Sequence, residues 1–296
     1  MSKKKPVDNA GIGARIFDGC NILFMLLLAF IMLYPMYNIL VVSISSAEYI
    51  YRGEVNFIPK GINFDAYKMV FENESIWVSF KNSVVYTVVG TAINVVCSAM
   101  CAYPLSRKDF YGRGFFTFFV ALTMFISGGM IPSYLVVNQL RLINTIWAIV
   151  LPGAISTYNM IIMRTFFQNI PSSLTESAYL DGANDIQILF KVILPLSMPI
   201  IATMTLFYAV GHWNSYFQAM IYLNSKSKFP LQVLLREIIV AGNMAEESAD
   251  LSANMQIIAI NFKYAVIIIT IVPILVVYPF LQKYFTKGVM IGAIKG

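Results

Sequence analysis

Charge is the scarcest ingredient of this chain. Asp, Glu, Lys and Arg make up 12% of its 296 residues while 58% are hydrophobic, against about 25% charged in an ordinary soluble domain. A soluble fold needs charged side chains to cover its surface, and too few are present. A bilayer is the simpler solvent, and the mean hydropathy of +0.70 agrees. There is one histidine, His212, which excludes an H-E-x-x-H metal pair, and no G-x-S-x-G nucleophile turn occurs. No G-x-x-x-x-G-K-[ST] loop is present, so the chain does not cradle nucleotide phosphates by that route. No cofactor and no metal are expected on it. Cys20, Cys97 and Cys101 lie in or beside apolar runs and form neither a disulfide framework nor a Cys-x-x-Cys site, so they read as apolar filler. Cys20 precedes its apolar run, whereas a lipoprotein signal would end at the cysteine. Glu246, Glu247 and Asp250 are the densest acidic cluster, and a solvated loop surface accounts for them better than paired acid–base catalysis.

What is present is a set of long apolar segments. Six, at roughly 20–42, 83–103, 115–137, 144–163, 197–223 and 264–282, hold the roughly 20 apolar residues needed to cross about 30 Å of hydrocarbon as helix. A barrel would instead show short alternating segments, so the expected fold is an all-α membrane protein with six transmembrane helices. Residues 1–19 form an N-terminal tail, 20–282 the membrane domain and 283–296 a C-terminal tail. The first span, preceded by Lys3, Lys4, Lys5 and Arg15, also admits a signal-peptide reading, but its apolar run exceeds the usual core of such a signal. The net charge of +6 is scattered in short clusters between spans, which suits the positive-inside rule rather than nucleic acid. With the N-terminus inside, 12 of the 21 basic residues fall on short cytoplasmic stretches. Both termini are then cytoplasmic, and segments 43–82 and 224–263 are external. Prolines at 35, 104, 132, 152, 199, 273 and 279, with Gly128 and Gly129, mark places where the spans can break or kink.

No Asp, Glu, Lys or Arg lies inside any of the six spans, although gradient-driven carriers usually place a charge near the midplane. That counts against a secondary carrier or channel. If transport is active, the fuel is consumed on another subunit; a membrane-bound enzyme or scaffold is the remaining alternative.

The cytoplasmic segment 164–196 is built for two short helices. Ser173 and Glu176 have the spacing of a capping box, and Gly182 offers the left-handed turn that ends a helix. From Ala183 an apolar face resumes with Ile186, Leu189, Phe190 and Ile193, and Pro195 closes it. Small residues at 177, 178, 182 and 183 leave room for another protein to come close. By spacing alone, a docking knob and an amphipathic hairpin lying on the membrane fit equally well.

The same stretch resembles the EAA loop of type I ABC importer permeases, E-A-A-x-x-x-G-x9-I-x-L-P: Glu176, Ser177, Ala178, then Gly182, nine residues, then Val192, Leu194 and Pro195. The form with Asp181, Gly182 and Ala183 is similar to the carbohydrate branch, the MalG-like permeases, and the likeness extends through 212–217, 229–236 and the tail 282–296. Ser177 departs from the usual second Ala but is equally small. The resemblance implies a MetI-like fold in the bacterial cytoplasmic membrane, paired with a second permease, an ATPase dimer carrying ATP and Mg, and an extracytoplasmic solute-binding protein. It further implies that residues 176–182 form the helix that couples to the ATPase, and that the tail bearing Gly288, Gly292 and Gly296 reaches the ATPase interface. The expected solute is an oligosaccharide, with other solute classes of ABC importer left open.

A path free of ionised groups suits a neutral or bulky solute. Its polar and aromatic candidates are Asn94, Asn138, His212, Trp213, Asn214, Tyr216 and Gln218, of which Trp213 and Tyr216 are the first choices for stacking on a sugar ring. Each also reads as an ordinary contact between membrane helices.

Overall fold

The computed structural model describes residues 12–247 and 253–293, and among them every regular element is helical, as the apolar runs predict. The chain divides into two compact units, one of residues 1–70 with 242–268 and one of 71–241 with 269–296.

The first unit holds α1 (Ile12–Ser43), α2 (Ala47–Tyr51), most of α3 (Asp65–Glu72) and the start of α15 (Ala253–Ala293). Along α1 the apolar side chains from Phe17 to Leu33 are largely uncovered by the chain, which suits a helix solvated by lipid. Its last turn is buried: Val41 and Val42 lie with Val55 against Tyr49, Ile50 and Tyr264. Asn261 of α15 donates to the Ser45 carbonyl at 3.1 Å, which supplies a partner where the chain leaves α1.

The second unit is organised by α4 (Glu74–Ser106), which packs against α8 (Thr157–Gln168) and α12 (Met198–Trp213). Their shared core includes Ala99, Ala102, Met160, Met163, Ile188, Ile193 and Met204. Small residues on α4 let the helices approach closely; a Cβ at Gly90 would lie 2.5 Å from the His212 ring. Outside this core, the Asn82 amide donates to the Ser227 carbonyl and the Tyr86 hydroxyl to the Lys228 carbonyl, both at 2.8 Å. The Leu231 amide donates to Ser83 Oγ at 2.7 Å. These bonds seat the start of α14 (Leu231–Glu247) on α4. Much of the expected 224–263 loop is therefore helical.

Three of the six expected spans are continuous helices long and apolar enough to cross a membrane, namely α1, α4 and Ile258–Pro279 within α15. The other three are interrupted. The third divides into α5 (Arg113–Leu122) and α6 (Met130–Gln139), because Gly129 takes φ 82° and starts a new helix. The fourth divides into α7 (Trp147–Val150) and α8 around Pro152 and Gly153, and the fifth into α12 and α13 (Phe217–Tyr222). Such breaks persist in a low-dielectric setting only where freed backbone groups find partners. Here Asn94 donates to the Gly153 carbonyl at 2.5 Å, and the Ser156 amide donates to the Tyr208 hydroxyl at 3.2 Å.

Candidate functional site

The segment between α8 and α12 folds as α9 (Ser172–Leu180), α10 (Asp185–Ile188), a π-helical turn (Leu189–Ile193) and α11 (Leu194–Leu196). Pro195 has no N–H to give, which loosens the register just before it and favours the wider turn. The piece from Asp185 to Leu196 then meets α12 at 88°, with Ser197 fully buried at the corner.

Two local expectations fail. Ser173 and Glu176 form no capping box, since Pro171 occupies the N-cap and places Ser173 inside the helix. The capping box belongs to the following helix, where the Gln187 amide donates to Asn184 Oδ1 at 2.9 Å and the Asn184 amide to Gln187 Oε1 at 3.0 Å. The inward face also differs. Ile188, Leu189 and Ile193 are buried, whereas Ile186 and Phe190 are exposed. The π turn rotates the apolar row away from the i, i+3, i+4, i+7 pattern of an undisturbed helix.

The end of α9 falls at Gly182 as the sequence implies. Gly182 adopts φ 81°; its amide donates to Tyr179 O at 2.9 Å and the Ala183 amide to Ala178 O at 3.0 Å. That pair of bonds is a Schellman closure, which leaves few loose carbonyls at the tip. No residue of α9 is buried, and Leu180 is 90% exposed. Glu176, Ser177, Asp181 and Gly182 are all exposed, Ala178 and Ala183 are partly covered by the core, Leu194 packs on it, and Pro195 is exposed. The predicted coupling residues thus divide into an open outer surface and an inward row that attaches it.

What holds this loop to the bundle was not anticipated. Arg107, one residue past α4, donates to Asp185 Oδ1 at 2.8 Å, to Asp109 Oδ1 at 3.0 Å and to the Tyr103 hydroxyl at 3.2 Å. It also donates to the Tyr179 hydroxyl, which in turn donates to Asp185. The hydrogen bond with Asp109 holds the Arg107 guanidinium above its ordinary pKa and, reciprocally, pulls the Asp109 carboxyl below the usual range. Partial burial, then the bond to Asp185, push the Tyr179 phenol up. Between this cluster and α9 lies a cleft of about 730 Å³ bordered by Arg107, Arg113, Gln168, Thr175, Glu176 and Tyr179.

The candidate pathway residues are dispersed. Asn94 is 1% exposed and its Oδ1 meets His212 Nε2 at 2.5 Å, so these two satisfy each other inside the α4–α12 contact. Trp213 is buried with its ring edge-on to Phe80 at 5.8 Å, beside an apolar recess of about 240 Å³. Asn138, Asn214, Tyr216 and Gln218 are exposed. Asn214 donates to Val210 O at 3.0 Å, and the Arg236 guanidinium lies 5.0 Å from the Tyr216 ring centre. Of the tail residues, Gly288 and Gly292 lie within α15 and Gly296 is outside the described residues.

Residues 94–291 match the family described as the binding-protein-dependent transport system inner membrane component. The chain belongs to that family. This permease is 44% identical over 283 residues to the polygalacturonan/rhamnogalacturonan transport system permease protein YtcP of Bacillus subtilis, covering 95% of this chain and 99% of that one. It is 27% identical over 280 residues to the arabinooligosaccharides transport system permease protein AraQ of the same organism, covering 93% and 94%. Among solved structures, a chain of a bacterial ABC transporter involved in the import of the acidic polysaccharide alginate superposes with TM-score 0.85 at 36% identity, over 93% of this permease and 98% of that chain. The MetI-like, all-helical membrane fold implied by the EAA resemblance is therefore the fold of this permease.

Proposed function

We propose that this permease is one transmembrane half of an ABC importer that carries an oligosaccharide into the cytoplasm. The observation that carries the reading is α9: a short helix with no buried residue, closed at Gly182 and tethered by Arg107, Tyr179 and Asp185 to the end of α4. A helix so exposed and so firmly held is suited to transmit a push from a partner. The partner is an ATPase subunit dimer, which binds ATP with Mg and hydrolyses the ATP. A second permease completes the pathway, and an extracytoplasmic binding protein delivers the solute. ATP binding draws the two coupling helices together, and the spans rock between inward-open and outward-open states as largely rigid bodies.

The carbohydrate assignment is supported by relatives whose names specify polygalacturonan, rhamnogalacturonan and arabinooligosaccharides, and by the alginate importer. Among the candidate pathway residues, exposed Asn138, Asn214, Tyr216 and Gln218 are the ones available to a passing sugar. The placement of basic residues supports both termini on the cytoplasmic side of a bacterial inner membrane, with the end of α15 directed to the ATPase. An ABC importer for a different solute would keep the same coupling loop and differ along the pathway.

The test is Gly182→Asp. It is expected to abolish uptake while the protein stays in the membrane, and cross-links from residues 174–184 in the wild type are expected to reach an ATPase. Unchanged uptake, or cross-links to lipid alone, refutes the reading.

A further inference from the structure

A second basic cluster at the same end of the bundle takes no part in the coupling loop's hydrogen bonds. Arg113, in the first turn of α5, donates through Nε to the Leu105 carbonyl at 3.1 Å, and Arg164, near the end of α8, donates through Nε to that same carbonyl at 2.9 Å. In the amide orientation that satisfies its neighbours, Gln168 accepts from both, at 2.6 Å from Arg113 and 3.1 Å from Arg164. Two guanidinium groups are thus locked side by side by neutral acceptors. Among the described residues neither has a carboxylate within ion-pair distance. Such a pair repels itself: burial and then the charge of Arg113 lower the pKa of Arg164.

The surroundings add three features. The pair borders a recess of about 520 Å³ that opens along α5 past Gly114, Thr117, Phe118 and Ala121. The Thr117 hydroxyl, which lines this recess, is buried without a hydrogen-bond partner among the described residues. The N-cap of α5 is Gly112, which offers no side-chain acceptor to the helix's first amides. An uncapped helix start carries positive partial charge that favours an anion. Uncompensated cations, an unsatisfied hydroxyl and an apolar wall meet where a membrane helix ends.

We propose that this recess seats the phosphate of an anionic phospholipid, with one acyl chain lying over Phe118 and Ala121. The phosphate oxygens accept from the free N–H groups of Arg113 and Arg164, for which the planar guanidinium fork is suited. Basic pockets between membrane helices recognise lipid headgroups in this way. A soluble phosphate would supply the same headgroup chemistry, but it would leave the apolar wall uncovered. The site is independent of the solute carried, so failure of the oligosaccharide reading leaves it standing.

The test uses full-length permease purified with the subunits that accompany it, in nanodiscs of phosphatidylcholine with a minor share of phosphatidylglycerol. Retained lipid is counted by native mass spectrometry. Phosphatidylglycerol is expected to be held in preference, and Arg113→Gln and Arg164→Gln are each expected to weaken retention about fivefold. Equal retention of the two lipids, or variants that match the wild type, overturns the proposal. Displacement by millimolar inorganic phosphate identifies a soluble-anion site, and displacement by a short uronate oligosaccharide identifies a solute site; either overturns it as well. Should the variants fail to assemble, a photoactivatable phosphatidylglycerol applied to the wild type decides: labelling within residues 113–121 is expected, and labelling only elsewhere overturns the assignment.

Discussion

Asp185, in the first turn of α10, accepts a hydrogen bond at 2.8 Å from Arg107, 78 residues earlier in the chain and just past the end of α4. The far end of a membrane-crossing helix and the proposed ATPase-coupling loop are therefore joined directly, and the Tyr179 ring, 5.2 Å from the Arg107 guanidinium carbon, reinforces the joint. In the proposed mechanism, movement imposed on α9 would pass to α4 through this contact as well as along the chain through α11 into α12.

Arg107→Gln is expected to lower uptake severalfold while the ATPase rate of the complex falls less, so that more ATP is spent per solute. Because Arg107 is 23% and Asp185 67% exposed, the ion pair itself contributes only about 0.5–1 kcal/mol of stability. A double-mutant cycle with Asp185→Asn should return coupling of that size. An Arg107→Gln complex whose uptake and ATPase rates both match the wild type would show that the joint carries no motion.

The pH dependence follows from Asp109. Its carboxyl titrates below the ordinary value because Arg107 donates to the ionised form, so the stabilisation is complete above an ordinary Asp pKa of about 3.9. It is lost as pH falls through the lower folded value. Hydrogen exchange at residues 105–110, corrected for intrinsic rates, should be constant from about pH 8 to 5 and rise only in acid below that ordinary pKa. A transition near neutrality would contradict the assignment.

At Gly182 the φ of 81° bars most side chains, yet nothing lies within 4 Å of a Cβ built there. Strain is therefore the only internal cost, on the order of 1–2 kcal/mol for a residue with a Cβ. Gly182→Ala should raise exchange at residues 180–184 with little change in melting temperature. Gly182→Asn, whose side chain tolerates the left-handed region, should perturb that exchange less. Equal exchange in both variants would indicate that backbone conformation is not what the glycine supplies.

Gly90 and His212 make a paired prediction. Gly90→Ala puts a methyl 2.5 Å from the His212 ring and should destabilise the α4–α12 contact by about 1–3 kcal/mol. His212→Ala leaves Asn94 Oδ1 without its partner, at a similar cost of about 1–3 kcal/mol. Since removing the ring also removes the clash, the double variant should be no less stable than His212→Ala alone. Thermal unfolding in detergent measures all three, and additive losses would rule out the contact.

Much of the coupling loop was legible from residue types. A glycine three residues past Tyr179 with small neighbours predicts a helix end, and Gly182 provides one. The capping box was misplaced because two N-cap patterns compete nearby; Pro171 excludes Ser173, and the pair Asn184 and Gln187 carried the signal that counted. Ile186, Leu189, Phe190 and Ile193 do not share one environment, because periodicity presumes an unbroken α-helix and Leu189–Ile193 is a π turn, so that Ile188, Leu189 and Ile193 are buried while Ile186 and Phe190 are exposed. The role of Arg107 could not be found at all: it reads as one more basic residue at a membrane boundary, and its partners in the loop, Tyr179 and Asp185, lie 72 and 78 residues away.

Composition alone determined the solvent of this chain and its helical character, because hydration free energy is a property of each residue type and depends little on its neighbours. The expectation of charge-free spans fails at Lys263, which is buried within the span Ile258–Pro279 and donates to Asn243 at 3.1 Å. Which apolar runs remain whole helices, which divide at Gly129 or Gly153, and how Asn94, Arg107 and Arg113 are used were decided only in three dimensions. A broken backbone or a clustered cation survives where distant groups supply its hydrogen bonds, and those partners are chosen by packing rather than by proximity along the chain.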